Sequence, residues 1–395
     1  MGLKPSSQDT LICSVPKDWD IASFDELFNI SAGGDVDPNS SSKEQDESHP
    51  YPIYSNSTKN RGLYGYCSYA DNPAHSITIT ARGTLGVATY RDSDYTAVGR
   101  VLVLDPKKSI AGPFITEYIN NRVSFAVEST GVPQLTAPQI GSYFLALPPY
   151  FEQREIATVL EDLNRLIHKL DQLIAKKQDL KQAVAQQLLA GRIRLPGFEN
   201  EWRTKPLATL VTIRNEKTLP ASVDVSTLCV ELDHLGQNNG RLLKDSTAAY
   251  SKSTKYRFRA GDVLFGRLRS YLRKYWHADR DGICSTEIWP MVVDSKQIDS
   301  RFLFAVVQSD QFINAASKSY GTHMPRADWG ILKNLDIRLP PIHEQRAITT
   351  VLSEMDSEIV AFESQCNKTS YLKQAMLQEL LTGSTRLVEP ETSHA

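Results

Sequence analysis

Apolar residues recur at alternating steps of four and three along the stretch from Leu147 to Gly191. This spacing is that of the a and d positions of a coiled coil, which form one apolar stripe on a helix. At 1.5 Å of rise per residue, a helix of about 40 residues is roughly 60 Å long. The stretch therefore predicts one long helix that packs on a partner through the lattice residues Ile156, Leu160, Leu163, Ile167, Leu170 and Ile174.

The same pattern returns between Leu339 and Gly383, at a constant offset of 192 positions and without a gap. Of the 45 aligned pairs, 20 are identical. A weaker echo precedes each repeat, where Trp19 corresponds to Trp202. Self-similarity of this kind predicts a tandem of module, helix, module and helix. The lattice of the second helix consists of Ile348, Leu352, Met355, Ile359, Phe362 and Cys366.

Both predicted helices carry start and stop signals. A Pro-Pro pair stands directly before each helical run, and Glu152 and Glu344 fall in the first turn, where the helix dipole favours an acid. Gly191 and Gly383 stand where a left-handed C-terminal cap is expected. From the pattern alone, a dimerisation coiled coil or a plain core helix is as good an interpretation as pairing between the two repeats. The duplication favours an intramolecular antiparallel coiled coil whose halves are related by a pseudo-twofold axis.

The repeat also predicts the domain organisation. A first module covers residues 1–146, a first spacer helix 147–195, a second module 196–338, and a second spacer helix with a C-terminal tail 339–395. Short β-rich runs and few long helical patterns indicate that the modules are mixed α/β, so the expected fold class is α+β. The segment from Asp35 to Pro50 is rich in Ser, Asp and Glu, which predicts an exposed loop with a composition typical of disorder.

In each module, a β-rich run is followed by a loop that carries an arginine. Residues 76–80 lead into Arg82, and residues 261–265 lead into Arg267. A guanidinium on a glycine-containing loop suits close approach to a phosphate or a base edge. Each module also has a later glycine-led turn, at 130–135 and at 321–326. From these segments and the basic run described next, we predict DNA contacts by Arg82, Gly83, Thr84, Gln134, Arg257, Arg267, Arg269, Arg273, Lys274, His323 and Arg326.

Charge supports the DNA contacts only locally. The formal net charge is -2, which by itself does not indicate nucleic-acid binding. Between Lys252 and Arg280, however, nine basic residues stand against two acidic ones and are interleaved with aromatic residues. Arginine beside aromatic rings is typical of surfaces that grip a phosphate backbone, although an isolated basic run is more often a solvated face. The first module is less basic, with eight Lys and Arg against five Asp and Glu between Lys59 and Arg122.

Motifs for catalysis are missing from the sequence. It has no GxxxxGK[ST] phosphate loop and no HExxH. The five cysteines are far apart, which argues against a zinc site and a disulfide framework and fits a reducing cytoplasm. Residues 71–74, Asp-Asn-Pro-Ala, fit a turn better than a methyltransferase motif, and no apolar run reaches the length of a membrane span. We therefore expect no catalytic residue, no metal, no cofactor and no membrane partner.

The duplicated LPPxxEQ helix leader and the LL(A/T)G helix terminus resemble the two central spacer regions of type I restriction–modification specificity subunits. The resemblance covers essentially the whole chain. It implies that each module reads one half of a bipartite site in double-stranded DNA, that the helices set the distance between the halves, and that the chain catalyses nothing. It implies two methyltransferase subunits and separate restriction subunits as partners. The leader falls on Leu147, Pro148, Pro149, Glu152 and Gln153, and on Leu339, Pro340, Pro341, Glu344 and Gln345.

Three other interpretations stay open at this point. A specificity subunit of another multi-subunit restriction enzyme would share this fold, and its genomic neighbours would distinguish it. A self-contained enzyme would need a set of catalytic residues that the sequence does not reveal. A cytoskeletal or scaffold coiled-coil protein would not need two basic, aromatic modules, and absence of DNA binding in any complex would favour it.

Overall fold

The computed structural model describes residues 15–126, 133–318 and 324–387. The predicted contact residue His323 and residues 130–132 of the first glycine-led turn lie outside these ranges. The chain divides into two compact units, unit 1 with residues 1–170 and 365–395 and unit 2 with residues 171–364. The predicted domain boundaries, which set each helix apart from the modules, stay a prediction.

Unit 1 is built mainly from short strands. Ser23 caps the first short helix through a capping box with Glu26, in which each side chain accepts a hydrogen bond from the backbone of the other residue. The strands of its described residues are β1 (Asp20–Ser23), β2 (Phe28–Ala32), β3 (Ser41–Ser42), β4 (Tyr51–Tyr54), β5 (Leu63–Cys67), β6 (Ile77–Ile79), β7 (Ala88–Tyr90), β8 (Thr96–Ala97), β9 (Leu102–Pro106) and β10 (Phe144–Leu147). The helices before the long one are α1 (Phe24–Leu27), α2 (Gly112–Arg122) and α3 (Ala137–Gly141).

These strands form two four-stranded sheets and a small two-stranded one. The order β2-β9-β6-β7 is antiparallel throughout, with Thr78 opposite Val103. The order β3-β5-β4-β8 ends on a parallel pair, β4 with β8, and β1 pairs with β10. The segment from Asp35 to Pro50 lies mostly at the surface, but Ser41 and Ser42 pair with β5. Disorder is therefore the wrong expectation for this part of the segment, because the ladder satisfies its backbone.

Unit 2 repeats this architecture with different residues. Its described strands are β11 (Arg203–Pro206), β12 (Val211–Ile213), β13 (Lys217–Thr218), β14 (Cys229–Val230), β15 (Lys255–Phe258), β16 (Val263–Gly266), β17 (Tyr275–His277), β18 (Gly282–Ser285), β19 (Ile288–Val293) and β20 (Asp336–Leu339). The long helix α4 (Tyr150–Leu189) ends in this unit. The remaining helices are α5 (Ser300–Gln308), α6 (Asp310–Ala316), α7 (Trp329–Leu332) and the long α8 (Ile342–Leu380), which begins here.

The first four-stranded sheet of unit 2 has the same strand order as its counterpart in unit 1, whereas the second differs in its last two strands. The order β12-β19-β16-β17 is antiparallel, with Phe265 opposite Trp289. The order β13-β15-β18-β14 again ends on a parallel pair, and β11 pairs with β20. Both β-rich runs that the sequence places before an arginine are central strands, β6 and β16. The expected α+β class, with two mixed modules joined by two long helices, is confirmed.

The two long helices run antiparallel, as each unit shows separately. In unit 1, Ile156 and Leu160 near the start of α4 share a core with Leu377 and Leu380 at the end of α8. In unit 2, Leu188 near the end of α4 belongs to the same core as residues 348 and 352 at the start of α8. Of the predicted lattice residues, those buried are Ile156, Leu160, Leu170, Ile348, Leu352 and Ile359, and those half-buried are Leu163, Ile167, Ile174, Met355, Phe362 and Cys366.

The glycines after the helices adopt the left-handed conformation that the sequence predicts, with φ of 61° at Gly191 and 70° at Gly383. A Cβ at Gly191 would meet the ring of Trp202 at 3.3 Å, and one at Gly383 would meet Trp19 at 3.1 Å. The two corresponding tryptophans therefore each pack against a helix-terminating glycine. This contact gives a structural reason for the tryptophan echo in the sequence.

Candidate nucleic-acid interface

In unit 1, the loop after β6 is exposed and is held by a later segment of the same module. Arg82 and Gln134 form a single antiparallel bridge, and the Arg82 guanidinium donates from Nε and Nη2 to Gln134 Oε1 at 3.2 and 3.1 Å. Arg82, Gly83 and Thr84 are all exposed. The structure thus brings all four residues predicted for this module together at one surface loop.

The Asn56 side chain holds the backbone of this loop through hydrogen bonds, a role that the sequence does not suggest. Its Oδ1 accepts hydrogen bonds from the backbone of Ala81 at 2.6 Å and of Arg82 at 3.3 Å, and its Nδ2 donates to the carbonyl of Gly99. Beside it opens a cavity of about 530 Å³ lined by Asn56, Tyr64 and Arg82 among others. The loop therefore has a fixed backbone and lies beside an open concavity.

In unit 2, the loop after β16 has the same construction. Leu268 bridges to Arg326, and the backbone N–H groups of Arg269 and Ala327 donate to the carbonyls of Pro325 and Arg267, each at 2.8 Å. Gln134 and Arg326 are separated by the same offset of 192 positions as the helical repeats. The two modules therefore use equivalent backbone positions to hold the two loops.

Two of the predicted arginines in unit 2 already have partners within the loop region. The Arg326 guanidinium lies against both carboxylate oxygens of Glu287, at 2.9 to 3.0 Å, and this hydrogen bonding raises the pKa of Arg326. The Arg267 guanidinium lies 5.3 Å from the ring centre of Trp289, and its Nε is buried without a hydrogen-bond partner among the described residues. Arg269 is exposed and has no side-chain partner in the part of the chain that the structure describes.

Arg273 and Lys274 lie at the end of this loop, but their side chains are bound within the protein. Arg273 binds the Asp310 carboxylate and donates to the Gln308 carbonyl, and Lys274 donates to the Leu232 carbonyl at 2.7 Å. Arg257 is exposed and lies on strand β15, with its Nη2 3.4 Å from Thr218 Oγ1. His323 lies outside the described residues. Unit 2 thus brings together Arg267, Arg269 and Arg326, binds the side chains of Arg273 and Lys274 within the protein, and places Arg257 on a strand.

The basic run from Lys252 to Arg280 does not form one continuous exposed face. Lys255 is buried and lies 2.6 Å from Glu231, and Arg280 lies 3.1 Å from Asp245. These acids come from outside the run, so a count of charges within the run misses them. An interpretation of the whole run as a single basic face is therefore wrong.

The EQ pair of each helix leader makes two separate sets of contacts. Glu344 is buried and accepts from Arg194 Nε and Nη2 at 2.6 and 2.9 Å, and from Trp202 Nε1 at 3.1 Å. Gln345 accepts from the backbone N–H of Asp299 at 2.8 Å and donates to two carbonyls of unit 2. The glutamate thus binds the segment after the other helix, and the glutamine binds the module.

Unit 1 repeats the arginine–glutamate and glutamine contacts with the equivalent residues, whereas the Nε1 of Trp19 has no hydrogen-bond partner among the described residues. Glu152 accepts from Arg386 Nε and Nη2, both at 2.6 Å, and Arg386 also binds Asp18, which lowers the pKa of that carboxyl. Gln153 accepts from the backbone N–H of Ala111 at 2.9 Å. The sequence places the glutamates only against the helix dipole. The sequence does contain a signal for these ion pairs, because an arginine stands three positions after each terminal glycine.

Within the described ranges, no cluster of three or more His, Cys, Asp and Glu side chains is arranged to hold a metal ion. None of the helices in those ranges is long and apolar enough to cross a membrane.

Comparison with known proteins gives a consistent picture. The model of the type I restriction modification DNA specificity domain matches residues 16–178 and again residues 199–369. The MjaVIII type I specificity subunit of Methanocaldococcus jannaschii is 22% identical over 66% of this chain and 66% of its own length. The EcoDI type I specificity subunit of Escherichia coli is 21% identical over 94% of this chain and 89% of its own length.

Two solved structures share the fold over nearly the whole chain. The crystal structure of a type I restriction–modification S subunit from M. genitalium covers 96% of this chain and 98% of its own, with a TM-score of 0.61 and 14% identity. A chain from a structural study of complex assembly and conformational transition in a type I R-M system covers 94% of this chain and 99% of its own. Its TM-score is 0.56 and its identity 17%.

Proposed function

The chain belongs to the family of type I restriction–modification DNA specificity proteins, and from that premise we propose that it binds a bipartite DNA target, one half-site per module. The observation that carries this proposal is the double match of the DNA specificity domain, which falls once on each half of the chain. The equivalent arginine-bearing loops, one after β6 and one after β16, support it. Two modules of equal construction and different sequence suit two half-sites of different sequence.

We assign the first half-site to Arg82, Gly83, Thr84 and Gln134. Three of these are exposed and Gln134 orients Arg82, so the loop presents its guanidinium in a fixed direction. An arginine that is held in place loses less conformational entropy on binding, and a bidentate contact with guanine is the commonest specific contact in the major groove.

We assign the second half-site first to Arg269 and then to Arg267 and Arg326. Arg269 is exposed and has no partner among the described side chains, so it can bind DNA without breaking an existing contact. Arg326 would have to share or leave Glu287. Arg273 and Lys274 are bound within the protein, which favours a structural role for them over the predicted DNA contact. For Arg257 and His323, DNA contact stays a prediction.

We further propose that this chain is non-catalytic and that its partners are two methyltransferase subunits and the restriction subunits. The support is that both similar proteins are named as specificity subunits of type I restriction enzymes. In this division of labour the chain selects the DNA sequence, and its two long helices hold the modules at a set spacing and give the methyltransferase subunits a surface to bind.

Binding of the assembled methyltransferase complex to DNA duplexes tests the bipartite proposal. The target comes from sequencing methylated DNA of the host, and three duplexes carry the whole target, a scrambled first half or a scrambled second half. We expect each scrambled half to weaken binding by at least about tenfold, because each mismatched base pair costs about 1–3 kcal/mol. Equal affinity for all three duplexes would overturn the proposal.

A further inference from the structure

A short turn at residues 270–272 presents Tyr271 at the surface of unit 2 between two arginines in the left-handed conformation. The φ angles are 52° at Arg269 and 53° at Arg273. Residues with a Cβ rarely adopt this conformation, and they keep it only where the surrounding structure imposes it. Such residues concentrate at binding sites, because strain is retained where a particular side-chain direction is needed.

Contacts on both sides hold this turn in place. Ser270 is buried, and its hydroxyl donates to the carbonyl of Ala316 at 3.1 Å. The Arg269 backbone N–H binds the carbonyl of Pro325 at 2.8 Å, and the Arg273 guanidinium binds Gln308 and Asp310. The turn is therefore fixed to the segment carrying Arg326 on one side and to α6 on the other.

Tyr271 differs from the other aromatic residues of the basic run. Phe258, Tyr275 and Trp276 are buried and Tyr256 is half-buried, whereas Tyr271 is 54% exposed. Tyr271 belongs to none of the core clusters formed by the described residues of unit 2. Its ring stands two positions from Arg269 on one fixed turn, and the Arg269 guanidinium has no partner among the residues that the structure describes.

We infer that Tyr271 packs its ring against a base of the half-site bound by unit 2, while Arg269 binds the adjoining DNA backbone or base edge. A fixed tyrosine loses little conformational entropy on binding, and in duplex DNA a side chain of this kind can contact base edges in a groove or wedge between base steps. This inference rests on the proposed function. The charge and the position beside Arg267 and Arg326 favour DNA over a protein partner as the molecule that covers the ring.

The loop of unit 1 offers no equivalent ring. It runs through Arg82, Gly83, Thr84 and Leu85 to Gly86, which is a glycine at φ of 80° where an added Cβ would meet Phe125 at 2.7 Å. The inference therefore predicts aromatic contact in one half-site and none from the corresponding loop in the other.

The test uses the full chain assembled with its methyltransferase subunits and target duplexes that carry a 5-iodopyrimidine at one position at a time. Every base pair contains a pyrimidine, so the whole half-site can be scanned. Light crosslinks an iodinated base to an aromatic ring stacked on it. We expect a crosslink to Tyr271 at a position of the second half-site in the wild type and a crosslink to the ring of Y271F. Y271A should lose that crosslink and bind the target at least about fivefold more weakly.

The matched control is Y250A, because Tyr250 is 87% exposed in the same unit on a different turn. It should bind and crosslink as the wild type does. Wild-type affinity and an unchanged crosslinking pattern in Y271A would overturn the inference, as would a Y271A chain that no longer assembles with its partners, since Tyr271 would then be a protein contact. If the wild-type complex showed no sequence-specific binding, the proposed function itself would fail.

Discussion

Arg194 and Glu344 form a bidentate ion pair that joins the segment after the first long helix to the first turn of the second. Arg386 and Glu152 form the same pair in the other unit, at positions 192 residues away. Both carboxylates are almost completely buried. The glutamate of the LPPxxEQ leader and the arginine after the terminal glycine therefore form one ion pair in each unit, which joins the end of one long helix to the beginning of the other.

Replacing Arg194 with alanine should lower the free energy of unfolding by about 3 kcal/mol. The change leaves the Glu344 carboxylate buried without its cation, and removing one partner of a buried ion pair costs about 3–5 kcal/mol. Urea unfolding of the wild type and the variant measures the loss. The matched control is R192A, since Arg192 lies two residues away and is exposed, and it should stay within about 0.5 kcal/mol of the wild type. Equal stability of both variants would show that the pair contributes nothing.

The packing of the long helices predicts that replacing two leucines of α4 has different effects on stability. Leu160 is completely buried, whereas Leu166 is 41% exposed. Leu160→Asp places an unpaired charge in the core of unit 1 and should destabilise the protein by more than about 3 kcal/mol or prevent folding. Leu166→Asp should change stability by less than about 1 kcal/mol. Thermal unfolding followed by circular dichroism compares them, and similar melting temperatures would contradict the assigned helix face.

Replacing a loop arginine should weaken DNA binding, and the pattern of the loss shows whether that arginine contacts a base or a phosphate. R269A should weaken binding to the target by about 1–3 kcal/mol, and R82A should do the same. A base-reading arginine relaxes specificity at one position of its own half-site, whereas a phosphate-binding one weakens all sequences alike and lowers the salt dependence. Fluorescence anisotropy of the assembled complex at several salt concentrations separates the two cases.

The control for the loop arginines is R280A, because Arg280 is exposed on the same unit but paired with Asp245 and Asp279. Its affinity for the target should equal that of the wild type. If R280A weakened binding while the double variant R267A/R269A left it unchanged, the second half-site would have to be moved to another face of unit 2.

The lowered pKa of His277 predicts how the stability of the protein depends on pH. Burial, followed by the charge of Arg301, lowers the pKa of His277 below its usual 6.5, and its Nε2 lies 3.0 Å from Ser300 Oγ. The unfolded chain takes up a proton on this residue near pH 6.5, while the folded chain does so only at lower pH. Stability should therefore fall as the pH drops below 6.5, until the folded pKa is reached. Unfolding free energies between pH 7.5 and 5 measure this loss. His277→Gln should remove this part of the slope, and an unchanged slope would exclude His277 as its cause.

Sequence patterns predicted the features that depend on neighbouring positions. The heptad lattice, the terminal glycines and the strands before Arg82 and Arg267 are local signals, and each describes one helix face, one cap or one strand. The acids that neutralise the basic run are not local. Glu231 lies 24 positions from its partner Lys255, so the pairing appears only once the chain is folded.

Two further features could not be predicted from the sequence, because they also depend on contacts between distant positions. Asn56 stands between two serines in a polar loop, and only the fold brings its side chain to the backbone of residues 81 and 82. The strand at Ser41 and Ser42 has a composition that favours a loop, and it forms because β5 offers a free edge. In both cases a long-range hydrogen bond outweighs a weak local preference.

The most direct test of the central claim is an exchange of one module. Residues 200–338 are replaced by the corresponding module of another type I specificity subunit, with both long helices unchanged, and methylated DNA from cells carrying the chimera is sequenced. We expect one half of the methylated target to change to the sequence read by the new module, while the other half and the gap between the halves stay the same. A target that keeps both half-site sequences, or one in which both halves change, would contradict the account.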